Sequence, residues 1–172
     1  MFLDKRFFTM VKYEQINAQE TKDFNITNRI MSTIFQTYNA NATLTQMPQF
    51  SNYDATMDVT KGNNFRQYTI EIKERNVPCL EDLESLPLKV KKYCNIIAKS
   101  GNKTPLVIYL VNNEEYYIYD LNKLDLNKVE IRNWNIPKVQ YSDKHQYEEQ
   151  PTFFLPLNQS IYNGTFAYAN NK

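Results

Sequence analysis

The stretch from Asn52 to Lys73 constrains this chain more than any other. Tyr53, Ala55, Met57 and Val59 alternate with Asp54, Thr56 and Asp58. After Lys61-Gly-Asn-Asn64 the alternation resumes, with Tyr68, Ile70 and Ile72 set against Gln67, Thr69, Glu71 and Lys73. Period-two alternation marks a strand with one apolar and one polar face. Gly62-Asn63 is a two-residue hairpin signal. A turn centred there sets Thr56 opposite Thr69 and Asp58 opposite Gln67, and it brings Asp54 opposite Glu71. Asp58 is then left about 13 Å along the strand from Glu71, too far to share an ion with it. Moving the turn on by two residues would pair Asp58 with Glu71, but it would place the bulky Phe65 in the turn.

Facing side chains on one sheet face have Cβ atoms about 4.5–5.5 Å apart, and like charges so placed repel. A hard divalent cation, which prefers oxygen ligands, would relieve that repulsion between Asp54 and Glu71. Lys73 lies one pleat further along the same face. An Asp on one strand followed by Glu-x-Lys on the next resembles the signature of the PD-(D/E)xK nuclease superfamily. The matching residues here are Asp54 and Glu71-Ile72-Lys73.

The rest of the chain bounds the reading. Its 172 residues, 42% hydrophobic and 14% aromatic, fit one globular domain spanning residues 1–172. The net charge of +1 leaves room only for a local basic patch. Three glycines form no phosphate-binding loop. Cys79 and Cys94 have no metal-ligand spacing, and the single histidine, His145, sits in a polar segment, which argues against zinc and Ser-His-Asp chemistry. No run approaches the length of a membrane span and the N-terminus lacks an apolar signal core, so the expected location is cytoplasmic, with no membrane partner. The wealth of Asn, Lys, Ile and Tyr points to an AT-rich bacterial or viral (phage) genome.

Along the chain, Ile26, Ile30, Ile34 and Tyr38 recur every fourth residue, widened by Met31 and Phe35. They predict an amphipathic helix over residues 25–39, capped by Asp23 or Asn25 and preceded by a short strand or irregular lead-in at Phe7–Tyr13. Thr43–Met47 reads as a strand stopped by Pro48. Ser85-Leu-Pro87 reads as the start of a second helix with Val90, Tyr93, Cys94 and Ile97 on one face, ending at Ser100-Gly101. Lys89, Lys91, Lys92 and Lys99 lie off that face. Leu106–Val111, apolar throughout, predicts a strand buried on both faces, and Tyr116–Asp120 pairs with it. Beyond Leu121, Val129–Trp134 reads as an edge strand, Gln140–Gln150 as a loop and Phe153–Leu155 as a short apolar element.

The predicted order of helix, three strands, helix and two strands matches the αβββαβ core of that superfamily. The fold class expected is therefore α/β (α+β), with a restriction-endonuclease-like core over about residues 24–120, a central mixed sheet flanked by helices, and a C-terminal extension at 121–172. The resemblance implies a deoxyribonuclease. Asp54, Glu71 and Lys73 would be catalytic, and Mg2+ or Mn2+ would be held by Asp54, Glu71 and the carbonyl of Ile72. Lys92, with Lys89 second, would point back at the site from the second helix and, with Arg75, form a basic rim for DNA. Tyr116, Tyr117 and Tyr119 are expected in the sheet rather than as a base platform. Many superfamily members also carry a Glu on the first helix. Here the periodic part of that helix has none, and Glu20 lies just ahead of it. That departure favours the alternative, a catalytically inactive nuclease-fold protein serving as a nucleic-acid-binding or viral structural accessory module.

Overall fold

The computed structural model describes residues 5–48, 51–137 and 147–166. Helix α1 (Lys5–Thr37) leads into strands β1 (Asn41–Gln46), β2 (Ala55–Lys61) and β3 (Asn64–Arg75). Strand β4 (Ser85–Lys89), helix α2 (Val90–Ser100) and strands β5 (Thr104–Val111) and β6 (Glu115–Asp120) follow, then β7 (Glu130–Pro137), β8 (Tyr147–Pro156) and β9 (Tyr162–Thr165). The large sheet runs β1-β2-β3-β5-β6-β9, and a small sheet runs β4-β8-β7. Only the β3–β5 pair is parallel among the described pairings, so the large sheet is mixed. The predicted order of elements is present, with β4 inserted before α2, and the layout is restriction-endonuclease-like.

β5 shows why the sheet is buried on both sides. Leu106, Ile108 and Leu110 pack with Ile26, Ile30, Met31 and Ile34 of α1. Val107, Tyr109 and Val111 pack on the other face with Ile96 of α2 and with Leu86, Leu88, Phe153 and Leu155 of the small sheet. Each such side chain contributes about 1.5–3 kcal/mol on burial. The result is three layers, with α1 on one face and α2 with the small sheet on the other. Among the described residues, no helix is long and apolar enough to cross a membrane.

Three expectations are corrected. Phe7–Tyr13 is neither strand nor irregular, because α1 runs unbroken from Lys5, and no glycine or proline occurs before Pro48 to interrupt it. The helix stops where Asn39 takes a left-handed φ of 53° and the amide of Ala40 bonds back to the Phe35 carbonyl. Ser85–Lys89 is a strand, not the first turn of a helix: Leu86 and Leu88 alternate inward, and Pro87 is tolerated because β4 is an edge strand. Of the predicted loop at 140–150, Tyr147–Gln150 belongs to β8, and the rest, with His145, lies outside the described residues. After Leu121 the chain supplies β9 to the large sheet and β7 and β8 to the small one.

Candidate metal and phosphodiester site

The hairpin register sets the site. Thr56 pairs with Thr69, Asp58 with Gln67 and Ala55 with Ile70, around a turn at Gly62-Asn63 where Gly62 has a φ of 56°. The ladder ends at Ala55. One residue earlier, the amide of Asp54 still bonds to the Ile70 carbonyl at 2.9 Å. Its carboxylate then replaces the next backbone acceptor, with Oδ2 receiving the Ile72 amide at 2.6 Å. The amide and carbonyl of one strand residue leave from the same edge. The Ile72 carbonyl therefore also faces the gap that Asp54 occupies.

On the polar face of β3, Thr69, Glu71, Lys73 and Arg75 lie under α2 and the small sheet. Glu71 is 1% exposed, so this face is covered rather than solvated. Lys73 pairs with its Oε1. Lys92 Nζ lies 2.8 Å from its Oε2 and donates a 3.1 Å hydrogen bond to the Asn52 carbonyl. Each oxygen of the Glu71 carboxylate therefore faces a lysine ammonium.

Val90, Tyr93 and Ile97 of α2 pack on the core as the sequence reads, and Lys92 lies on an adjoining stripe that also turns inward. Lys92, Ile96 and Ser100 recur at four-residue spacing, Ile96 is fully buried, and the Ser100 hydroxyl shares a 2.5 Å hydrogen bond with that of Thr69. Cys94, expected inward, is exposed. Lys89 is not on the helix but closes β4. Its ammonium is held below the usual lysine range by burial and by Lys73, Arg75 and Lys91, against the opposing pull of Glu148. Lys73, Arg75, Lys89 and Lys91 thus form one basic cluster beside the carboxylates.

Burial first, and then the charge of Glu71, push the Asp54 carboxyl up to about 6, even though part of that side chain stays open to water. Asp23, read in the sequence as a cap, sits mid-helix in α1 and is likewise raised to about 6, by burial and then by Glu74, with a smaller push from Asp54. Gln19 bridges the pair, donating to Asp23 at 2.8 Å and to Glu74 at 3.1 Å. Gln19 and Asp23 continue the phase of Ile26 and Ile30, and that spacing is the signal that could have found them. Glu20 is exposed. Tyr119 and Tyr109 pack edge to face in the core, and Tyr117 donates to Glu115 at 2.6 Å, so these tyrosines belong to the sheet.

Among the described residues, no three His, Cys, Asp or Glu side chains cluster as metal ligands. The oxygen donors that converge are two carboxylates, Asp54 and Glu71, and the Ile72 carbonyl.

No family model matches this chain, and no curated protein does. Among solved structures, it is similar to Hjc of Archaeoglobus fulgidus. That protein is a Holliday junction resolvase from an archaeal hyperthermophile; the two are 12% identical with a TM-score of 0.42, over 87% of this chain and 93% of that one. A likeness so slight lends this chain no function, which has to come from its own residues.

Proposed function

We propose that the chain is a metal-dependent nuclease that hydrolyses phosphodiester bonds of DNA. Asp54, Glu71 and Lys73 are its catalytic residues, and Asp54, Glu71 and the Ile72 carbonyl are its ligands for Mg2+ or Mn2+. The observation that carries this reading is the meeting of a buried Glu71 carboxylate, held by Lys73 and Lys92, with the Asp54 carboxylate, which burial and then the charge of Glu71 push up to about 6. An all-oxygen donor set of two carboxylates and a backbone carbonyl suits a hard cation.

When bound, the metal would neutralise phosphate charge and lower the pKa of an attacking water. The chain's own groups do the rest. Asp54 is held by the Ile72 amide in the gap where β2 and β3 part. Lys73, 28% exposed, anchors Glu71 and reaches solvent at the place where a phosphate would arrive. Lys92 holds Glu71 from the opposite oxygen and acts as a positioning residue. Arg75 and Lys89 offer the DNA backbone a basic rim.

One observation favours the inactive alternative. Two lysines, Lys73 and Lys92, already balance the charges of Asp54 and Glu71, as in a purely structural ion network. Digestion of single- and double-stranded DNA and RNA, with Mg2+ or Mn2+ and then with chelator, separates the two. The nuclease reading requires cleavage of DNA that chelator stops. Binding without cleavage under every metal condition would leave the accessory module.

A further inference from the structure

A second site lies at the other end of the large sheet. A cavity of about 530 Å³ opens beside the C-terminal turn of α1, over the starts of β3 and β5 and the ends of β2 and β6. Its size is that of a small-ligand pocket. It is separate from the carboxylate site. Arg66 in its wall is five residues before Glu71, about 16 Å along the strand, and by strand parity on the opposite sheet face.

Two kinds of group line this cavity. Tyr38, Tyr68 and Tyr162 supply aromatic surface. The Tyr38 and Tyr162 rings lie 6.4 Å apart at 59°, and Tyr68 meets Phe35 at 6.0 Å and 52°. Tyr38 remains 49% exposed, so its ring is accessible from solvent. The hydrogen bond with Tyr38, and then burial, push the Tyr162 hydroxyl up to about 12. It is therefore neutral at physiological pH and does not repel an anion.

The second kind is cationic. Lys61, Arg66 and Lys123 line the cavity against one carboxylate, Asp120, among the described residues of its wall. Asp120 is buried, and it is held by the Asn122 amide at 3.0 Å and by Lys123 at 3.6 Å. Lys61 and Arg66 rise from the β2–β3 hairpin. Lys123 follows β6, two strands from β3 and so about 10 Å away. The wall thus presents aromatic surface with flanking positive charge and one fixed acceptor. An aromatic ring carrying a phosphate matches all three, since guanidinium and ammonium groups bind phosphate, tyrosine rings stack on bases, and a carboxylate accepts from a sugar hydroxyl or exocyclic amine.

We propose that this cavity binds a nucleoside monophosphate, with its base among Tyr38, Tyr68 and Tyr162 and its phosphate on Arg66 and Lys61. The site is independent of the carboxylate site, and its occupation does not require that site to be catalytic.

Calorimetric titration of dAMP into the full chain tests this. Saturable binding of one dAMP per chain is expected, weakened about tenfold or more in Arg66→Gln and in Lys61→Gln, the size of one lost charge-assisted contact. Both side chains are exposed, so the variants should melt as the parent does. Asp54→Asn should bind dAMP as the parent does. Inorganic phosphate and deoxyadenosine, titrated separately, should each bind at least about tenfold more weakly than dAMP. Absence of saturable dAMP binding would overturn the proposal. So would equal affinity for inorganic phosphate, which would mark an anion patch only, or loss of binding in Asp54→Asn with Arg66→Gln unchanged.

Discussion

Lys92 of α2 places its ammonium 2.8 Å from Oε2 of Glu71 on β3, and Lys73 grips the other oxygen of the same carboxylate. A glutamate 1% exposed between two lysines that each keep about a quarter of their surface in water is the electrostatic hinge of the site. The sequence motif contains Lys73 but not Lys92. The structure makes them a pair.

Removing the carboxylate should therefore cost stability as well as chemistry. Glu71→Ala leaves two half-buried lysines without their shared counter-charge. We expect a loss of about 2 kcal/mol in urea denaturation, below the full cost of a deeply buried pair because the lysines remain partly hydrated. Glu71→Gln, which keeps the shape, should lose less. An unchanged unfolding midpoint in Glu71→Ala would show that the ion pairs contribute nothing.

Metal binding should distinguish the two aspartates of β2 and its approach. Asp54 closes the ladder against Ile72, whereas Asp58 is exposed and accepts a 3.0 Å hydrogen bond from Gln67. Titration of Mn2+ by calorimetry should show binding abolished in Asp54→Asn and retained in Asp58→Asn. The reverse pattern would rule out Asp54 as the ligand.

The raised pKa of Asp23 makes a pH prediction. Burial, and then Glu74, lift this carboxyl from 3.8 to about 6, so the folded chain holds the proton more tightly than the unfolded chain does. The favourable term is fully present below 3.8 and is lost as pH rises through about 6. Asp23→Asn, which keeps an oxygen for Gln19, should raise Tm at neutral pH, and this advantage should vanish as the solution is acidified toward 3.8. Thermal melts of both proteins across that range measure it. An advantage that does not change with pH would contradict the burial account.

How much of this was legible in the sequence depended on how far each signal reached. The β2–β3 register was legible because Gly62-Asn63 admits one tight turn, and a two-residue period then fixes every partner. The β5 strand was legible because a run apolar on both faces has to be covered on both. The burial of Glu71 was not, since alternation assigns a face but not what packs on it; α2 and the small sheet cover it from elsewhere in the chain. The face of α2 with Val90, Tyr93 and Ile97 was legible, but the adjoining stripe was hidden because Lys92 and Ser100 are polar residues turned toward the protein. Ser85-Leu-Pro87 carried a genuine helix-start pattern, overridden by pairing of β4 with β8. The phase of Asp23 with Ile26 and Ile30 could have found it, but a position beside the start of the apolar stripe also reads as a cap.

If DNA binds at this site, the basic rim should set its salt dependence. Lys89→Ala should reduce the slope of log affinity against log salt by about 0.7–0.9, the signature of one phosphate contact. Fluorescence anisotropy with a labelled duplex over a salt series measures this slope. An identical slope in the variant would mean that Lys89 is only a solvated charge.

The most direct test of the central claim is the initial rate of DNA cleavage in Mg2+ by the parent and by Glu71→Gln, with folding of the variant checked by its melt. The account predicts metal-dependent cleavage by the parent and a rate at least about a hundredfold lower in the variant, as expected when one electrostatic element of a hydrolytic site is removed. A folded Glu71→Gln protein that cleaves at the parent rate would contradict it.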